Sequence, residues 1–255
     1  MMLLWGGKKI GGKFKHMSYF ANLGVTVDSE KQWLELNRLA GGSQKFTALE
    51  IKFFYVMGLL KDIWSSVEVL LQPQQAYTRT RVWPDRYLPA FSIFSSGVDL
   101  LGRCLTGNKK ADINENLRVG FYYLIFPDNL SNKSLDETKA STSLITTPFA
   151  KYSVKDLIAL RNFTSHGQAT IKNLLPGFDI HLLEQFTPKL QNALESYRVG
   201  LRDYPKLCER LGTAKIGVYK GRIEPLKATL HYYAQQGNST GDAFKDFDWS
   251  VKGDY

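Results

Sequence analysis

The stretch that opens at Thr47 and closes before Pro73 constrains this chain more than any other. Thr47-Ala48-Leu49-Glu50 is a capping-box pattern, in which a hydroxyl and a carboxylate satisfy backbone N–H groups that a first helical turn leaves orphaned. Beyond it, Phe53, Phe54, Met57, Leu60, Ile63, Trp64, Val67 and Leu71 recur mostly at spacings of three and four. That periodicity gathers them on one wide face, so the segment predicts a core helix ended by Pro73.

Other segments repeat the same punctuation. Asp28 is a candidate N-cap for a helix through Trp33, Leu34, Leu36 and Leu39, stopped by Gly41 and Gly42. A long helix is expected over 86–105, with Pro89 in its first turn, Gly107 after its end, and Ser95, Ser96 and Gly97 allowing a neighbour to approach closely. Asp112 and Glu115 open another that carries Leu117, Phe121, Leu124 and Ile125. Residues 127–150 read as a long polar loop, after which Ser153-Val154-Lys155-Asp156 restarts a helix. A further helix follows Asp179, with Pro188 expected to kink or restart it, and Pro205 opens a shorter one through Leu207 and Leu211. The expected fold is an all-α helical bundle. Residues 1–16 read as a poorly ordered basic arm and 17–212 as the helical domain. Residues 213–255 read as an irregular extension packed on the bundle, in which a short strand pair is the open alternative.

Charge narrows the partners. The 255 residues carry 33 Lys and Arg against 24 Asp and Glu, a net charge of +9. That excess favours polyanions such as RNA through non-specific attraction, and says nothing of fold. Cys104 and Cys208 lie far apart without a CxxC neighbour, which argues against a zinc or disulfide framework and suits a reducing cytoplasm. No run approaches the roughly 18 apolar residues of a membrane span. No metal or other cofactor is expected, and the Gly-Lys repeats at 6–13 lack P-loop spacing.

Chemistry concentrates in one place. Within Ala159-Leu160-Arg161-Asn162-Phe163-Thr164-Ser165-His166-Gly167-Gln168, an arginine precedes a histidine by five positions and an amide follows the arginine directly. Arginine neutralises a phosphate and histidine moves protons near neutral pH, a pair suited to RNA cleavage. On a continuous helix, residues five apart diverge by about 140°. Two arrangements bring them together: Gly167 as a left-handed C-cap that redirects His166, or a symmetric dimer that sets two motifs around one cleft. A helix C-terminus also favours protonated histidine. Arg79 and Arg81, interleaved with Tyr77 and Trp83 in the connection over 72–85, read as a solvated loop or as a weaker RNA-binding stretch. His181 reads as a core or boundary histidine, and His231 as part of an aromatic cluster with Tyr232 and Tyr233.

The Arg161-Asn162-x3-His166 segment resembles the signature of HEPN domains: an arginine, four to six residues and a histidine, with a polar residue commonly after the arginine. The resemblance is specific over about ten residues and elsewhere rests on helix number and order. It implies a four-helix core with extra helices and a homodimeric, metal-independent endoribonuclease, serving as a toxin or in defence, with an antitoxin as a further partner. Arg161 would bind the scissile phosphate, His166 would act as general base or acid as the RNA 2′-OH attacks, and Asn162 and Ser165 would orient or hydrogen-bond. Gln168 stands where one HEPN subgroup has a tyrosine, which separates this chain from regulation through that tyrosine. The competing reading is a non-catalytic helical module that binds RNA or a protein.

Overall fold

The structure is a computed structural model that describes residues 25–27, 29–39, 46–71, 84–107, 113–127, 154–166 and 181–235. Among them run eight α-helices: α1 (Glu30–Leu39), α2 (Ala48–Leu71), α3 (Pro84–Thr106), α4 (Ile113–Ile125), α5 (Val154–His166), α6 (His181–Asp203), α7 (Pro205–Thr213) and α8 (Ile223–Gln235). Two short strands, β1 (Val25–Val27) and β2 (Ile216–Val218), pair antiparallel with Val25 opposite Val218. Among the described residues the architecture is an all-α bundle with this ribbon attached.

Its centre is α2. The Thr47 capping box forms, with Thr47 N donating to Glu50 Oε2 at 2.7 Å and Glu50 N donating to Thr47 Oγ1 at 3.2 Å. Every residue from 51 to 57 is then buried, so the first half of α2 is enclosed on all sides rather than along one face. Helices α2, α3, α4 and α6 pack in a closed ring, α2 on α3, α3 on α4, α4 on α6 and α6 on α2. Helix α5 lies against both α3 and α4. Aromatic rings pin α8 and the approach to α2, as Phe54 stacks on Tyr233 at 4.8 Å and meets Phe46 edge-on at 5.5 Å.

The α3–α4 pair approaches closely because two glycines permit it. A Cβ at Gly102 would overlap the Asn116 carbonyl oxygen, and one at Gly120 would overlap that of Val98. Gly97 serves a different neighbour, Ile63 of α2. Gly107, with φ of +74°, ends α3 in the left-handed region and donates its N–H to Arg103 O.

Buried polar side chains fasten the C-terminal elements to α2. Lys52 Nζ donates to the carbonyls of Gly212 and Ala214 at the end of α7, at 2.9 and 2.5 Å, and lies 5.7 Å from the Trp33 ring centroid. A cation there also meets the negative end of the helix dipole. The Tyr55 hydroxyl donates to Gly217 O and accepts from Tyr219 N, both at 3.1 Å. Arg222 forms an ion pair with Asp62, its guanidinium lying over the space where Gly58 lacks a Cβ.

Four expectations change. Ser29 caps α1, with Gln32 N reaching Ser29 Oγ at 3.4 Å and Ser29 N reaching Gln32 Oε1 at 3.2 Å; Asp28 lies outside the described residues. Pro89 falls in the second turn of α3, since the helix begins at Pro84, and there it removes one i→i−4 hydrogen bond while its ring faces outward. Helix α6 runs through Pro188 without restarting. The segment after Thr213, read as irregular, holds β2, a 3-10 turn (Lys220–Arg222) and α8, whose Leu226, Leu230 and Tyr233 are buried at helical spacing. The arm at 1–16, the loop at 128–150 and residues 236–255 lie outside the described residues.

Candidate functional site

Helix α5 holds the Arg/His segment. Leu157 and Leu160, three positions apart, are buried and hold the helix on the α3–α4 surface. Arg161 and Asn162 follow directly and are half-buried. Arg161 Nη1 donates to Asn162 Oδ1 at 3.0 Å, so the amide that follows the arginine orients the guanidinium. The helix continues through Ser165 to His166, whose side chains lie outside the described ones, as do Gly167, Arg79 and Arg81. Because the backbone stays helical to His166, Arg161 and His166 leave the axis about 140° apart. One chain therefore brings Arg161 and Asn162 together.

Beneath this helix, α3 supplies a residue that the sequence reading missed. Asp99 is buried and its Oδ2 accepts from Arg103 Nε at 2.9 Å, with Arg103 Nη2 at 2.8 Å. Burial pushes the Asp99 carboxyl up, while Arg103 and, at longer range, Arg161 pull it back down. Its second oxygen, Oδ1, is buried without a hydrogen-bond partner among the described residues, as is the Ser95 hydroxyl one turn earlier. Asp99 thus shares its negative charge with two guanidinium groups. The signal lay in Val98-Asp99-Leu100-Leu101, a carboxylate inside an apolar run with an arginine four positions on.

Other chemistry is weaker. Both cysteines are free thiols; burial pushes Cys104 up to about 12, and Cys208 is also pushed up by burial while its thiol lies 3.0 Å from Leu201 O. Neither has the depressed value of a nucleophilic thiolate. Among the described residues no cluster of three or more His, Cys, Asp and Glu is placed to hold a metal ion, and no helix is long and apolar enough to cross a membrane. His231 is exposed while its neighbour Tyr233 packs inward on Phe54. The His181 side chain lies outside the described ones. No family model, curated protein or solved structure matches the chain.

Proposed function

We propose that the chain is a metal-independent endoribonuclease of HEPN type that acts as a homodimer. The observation that carries this reading is the half-buried Arg161–Asn162 pair on a helix that ends at His166 and packs on α3, the helix of Asp99 and Arg103. Arg161 holds the scissile phosphate and offsets the charge that builds on it in the transition state. His166 removes the proton of the 2′-OH as that oxygen attacks the adjacent phosphorus, and the 5′-oxygen leaves with a proton, producing a 2′,3′-cyclic phosphate and a free 5′-hydroxyl. Asn162 fixes the guanidinium, and Ser165 lies one residue from His166 at the helix end. Since one continuous helix separates Arg161 from His166 by about 140°, the site draws on two copies around a shared cleft. A toxin or defence role in the cytoplasm, with an antitoxin as partner, suits such an activity.

The same divergence favours a second reading, a helical module that binds RNA without cleaving it. RNA turnover in the presence of a chelator separates the two. Wild type should cleave a mixed panel that includes tRNA, and Arg161→Ala and His166→Ala should each lower the rate by roughly 100-fold or more. Equal turnover by all three proteins, or none by wild type, would overturn the catalytic reading; tight RNA binding without turnover supports the module.

A further inference from the structure

Beneath α5, one buried carboxylate oxygen has no donor among the described residues. Both bonds from Arg103 go to Asp99 Oδ2, while Asp99 Oδ1 is shut off from solvent and receives none. Desolvating such an oxygen costs free energy that only a donor offsets, so protein interiors seldom leave one unmet.

The faces of α3 show which element this oxygen meets. Gly97 faces α2, where an added Cβ would touch Ile63, and Gly102 faces α4, where one would overlap the Asn116 carbonyl. At about 100° per residue, Asp99 lies roughly 160° from Gly97 and roughly 60° from Gly102. It therefore sits on the flank of the α3–α4 seam that points away from α2. Helix α5, which packs on both α3 and α4, covers that flank. It turns Leu157 and Leu160 into the seam. Arg161 follows Leu157 by four positions, one turn on and about 40° round, so it leaves α5 at the edge of the packed face. The charge of Arg161 reaches Asp99 and opposes the upward push of burial on its carboxyl.

We propose that Asp99 is a positioning residue whose Oδ1 accepts a hydrogen bond from the Arg161 guanidinium and steadies it against a bound phosphate. The inference rests on the proposed reading of Arg161 as the phosphate-binding group. A guanidinium is a planar fork with several N–H donors. Nη1 donates to Asn162 Oδ1 at 3.0 Å, and a second N–H given to Asp99 fixes the plane while leaving donors for the phosphate. Ser95, one turn before Asp99 with its own hydroxyl unpartnered, is the competing donor to Oδ1. A hydrogen bond between a guanidinium and a carboxylate is roughly twice as strong as one between neutral groups, which favours Arg161.

A double-mutant cycle on RNA cleavage, with chelator present, tests the role. Asp99→Asn keeps the shape of the side chain and removes its charge; it should lower kcat roughly 10- to 100-fold and change KM less. In an Arg161→Ala background the same substitution should cost nothing further, because a residue that acts through Arg161 has nothing left to position. Ser95→Ala should stay close to wild type. A second cycle, on urea unfolding, reads the contact without any activity: Asp99→Asn and Arg161→Gln should be non-additive by roughly 2-fold or more in the unfolding constant. Unchanged turnover in Asp99→Asn, an equal loss with and without Arg161, a matching loss in Ser95→Ala, or additive unfolding would each overturn the proposal. Should Asp99→Asn not fold, as judged by circular dichroism, Asp99→Asn combined with Arg103→Gln, which leaves no unpaired cation at that pair, carries both cycles. Absence of cleavage by wild type would count against the ribonuclease, and the hold of Asp99 on Arg161 would then stand or fall on the unfolding cycle.

Discussion

At the scale of single residues, Lys52 and Tyr55 join the enclosed half of α2 to the C-terminal segment, the first through the carbonyls of Gly212 and Ala214, the second through the backbone of Gly217 and Tyr219. Replacing Lys52 with Met keeps the volume, strands the buried Ala214 carbonyl and removes the donor of the part-buried Gly212 carbonyl. Hydrogen bonds from a charged donor contribute about 2 kcal/mol, so urea unfolding should show a loss of that order; an unchanged midpoint would mean that water replaces the ammonium. Tyr55 gives a dependence on pH. Burial pushes its phenol up to about 12, partly offset by the Tyr219 N–H and by Arg222. Below the ordinary value near 10, folded and unfolded chains both keep this proton and the contribution is whole. Between there and about 12 the unfolded chain releases it first, so stability falls as pH rises, by as much as roughly 3 kcal/mol. Tyr55→Phe should therefore show a shallower decline across that window than wild type, and parallel curves would contradict the assignment.

At the scale of elements, the α3–α4 crossing rests on Gly102 and Gly120. Alanine at Gly102 would drive a methyl into the Asn116 carbonyl and force the helices apart, which should cost about 2 kcal/mol and lower the melting temperature by roughly 4–8 °C. Gly221, open to solvent, should accept alanine in the same assay with little change. How much of this was legible in the sequence follows the range of the interactions. The Thr47 box, the period of α2, the stop at Gly107 and the start at Pro205 act within one or two turns, so the residues themselves announce them. Of the two outcomes expected at Pro188, a kink or a restart, the restart does not occur, since α6 is one helix from His181 to Asp203. Helix α8 was hidden by Pro225, near its start, and by adjacent aromatics, although Leu226, Leu230 and Tyr233 already had helical spacing. The ribbon depends on pairing between residues 25–27 and 216–218, a contact no local pattern shows.

For the candidate site the same division holds. Arg161 and Asn162 were visible because they adjoin on one helix, and their hydrogen bond is local. Asp99 was not, because its meaning comes from α3 packing against α5, across a chain separation that periodicity cannot see.

At the scale of the whole molecule, a bundle with net charge +9 presents Arg161 and Asn162 on α5, which packs on the α3 helix that carries the buried Asp99–Arg103 pair. The central claim, that Arg161 of one copy works with His166 of another, is tested most directly by mixing two inactive proteins. Arg161→Ala and His166→Ala are combined under conditions that allow subunits to exchange, and RNA cleavage is followed with chelator present. Half of the dimers formed are mixed and each contains one complete site, so the mixture should recover about a quarter of the wild-type rate. A mixture as silent as its two components, while wild type cleaves, would contradict a site shared between chains.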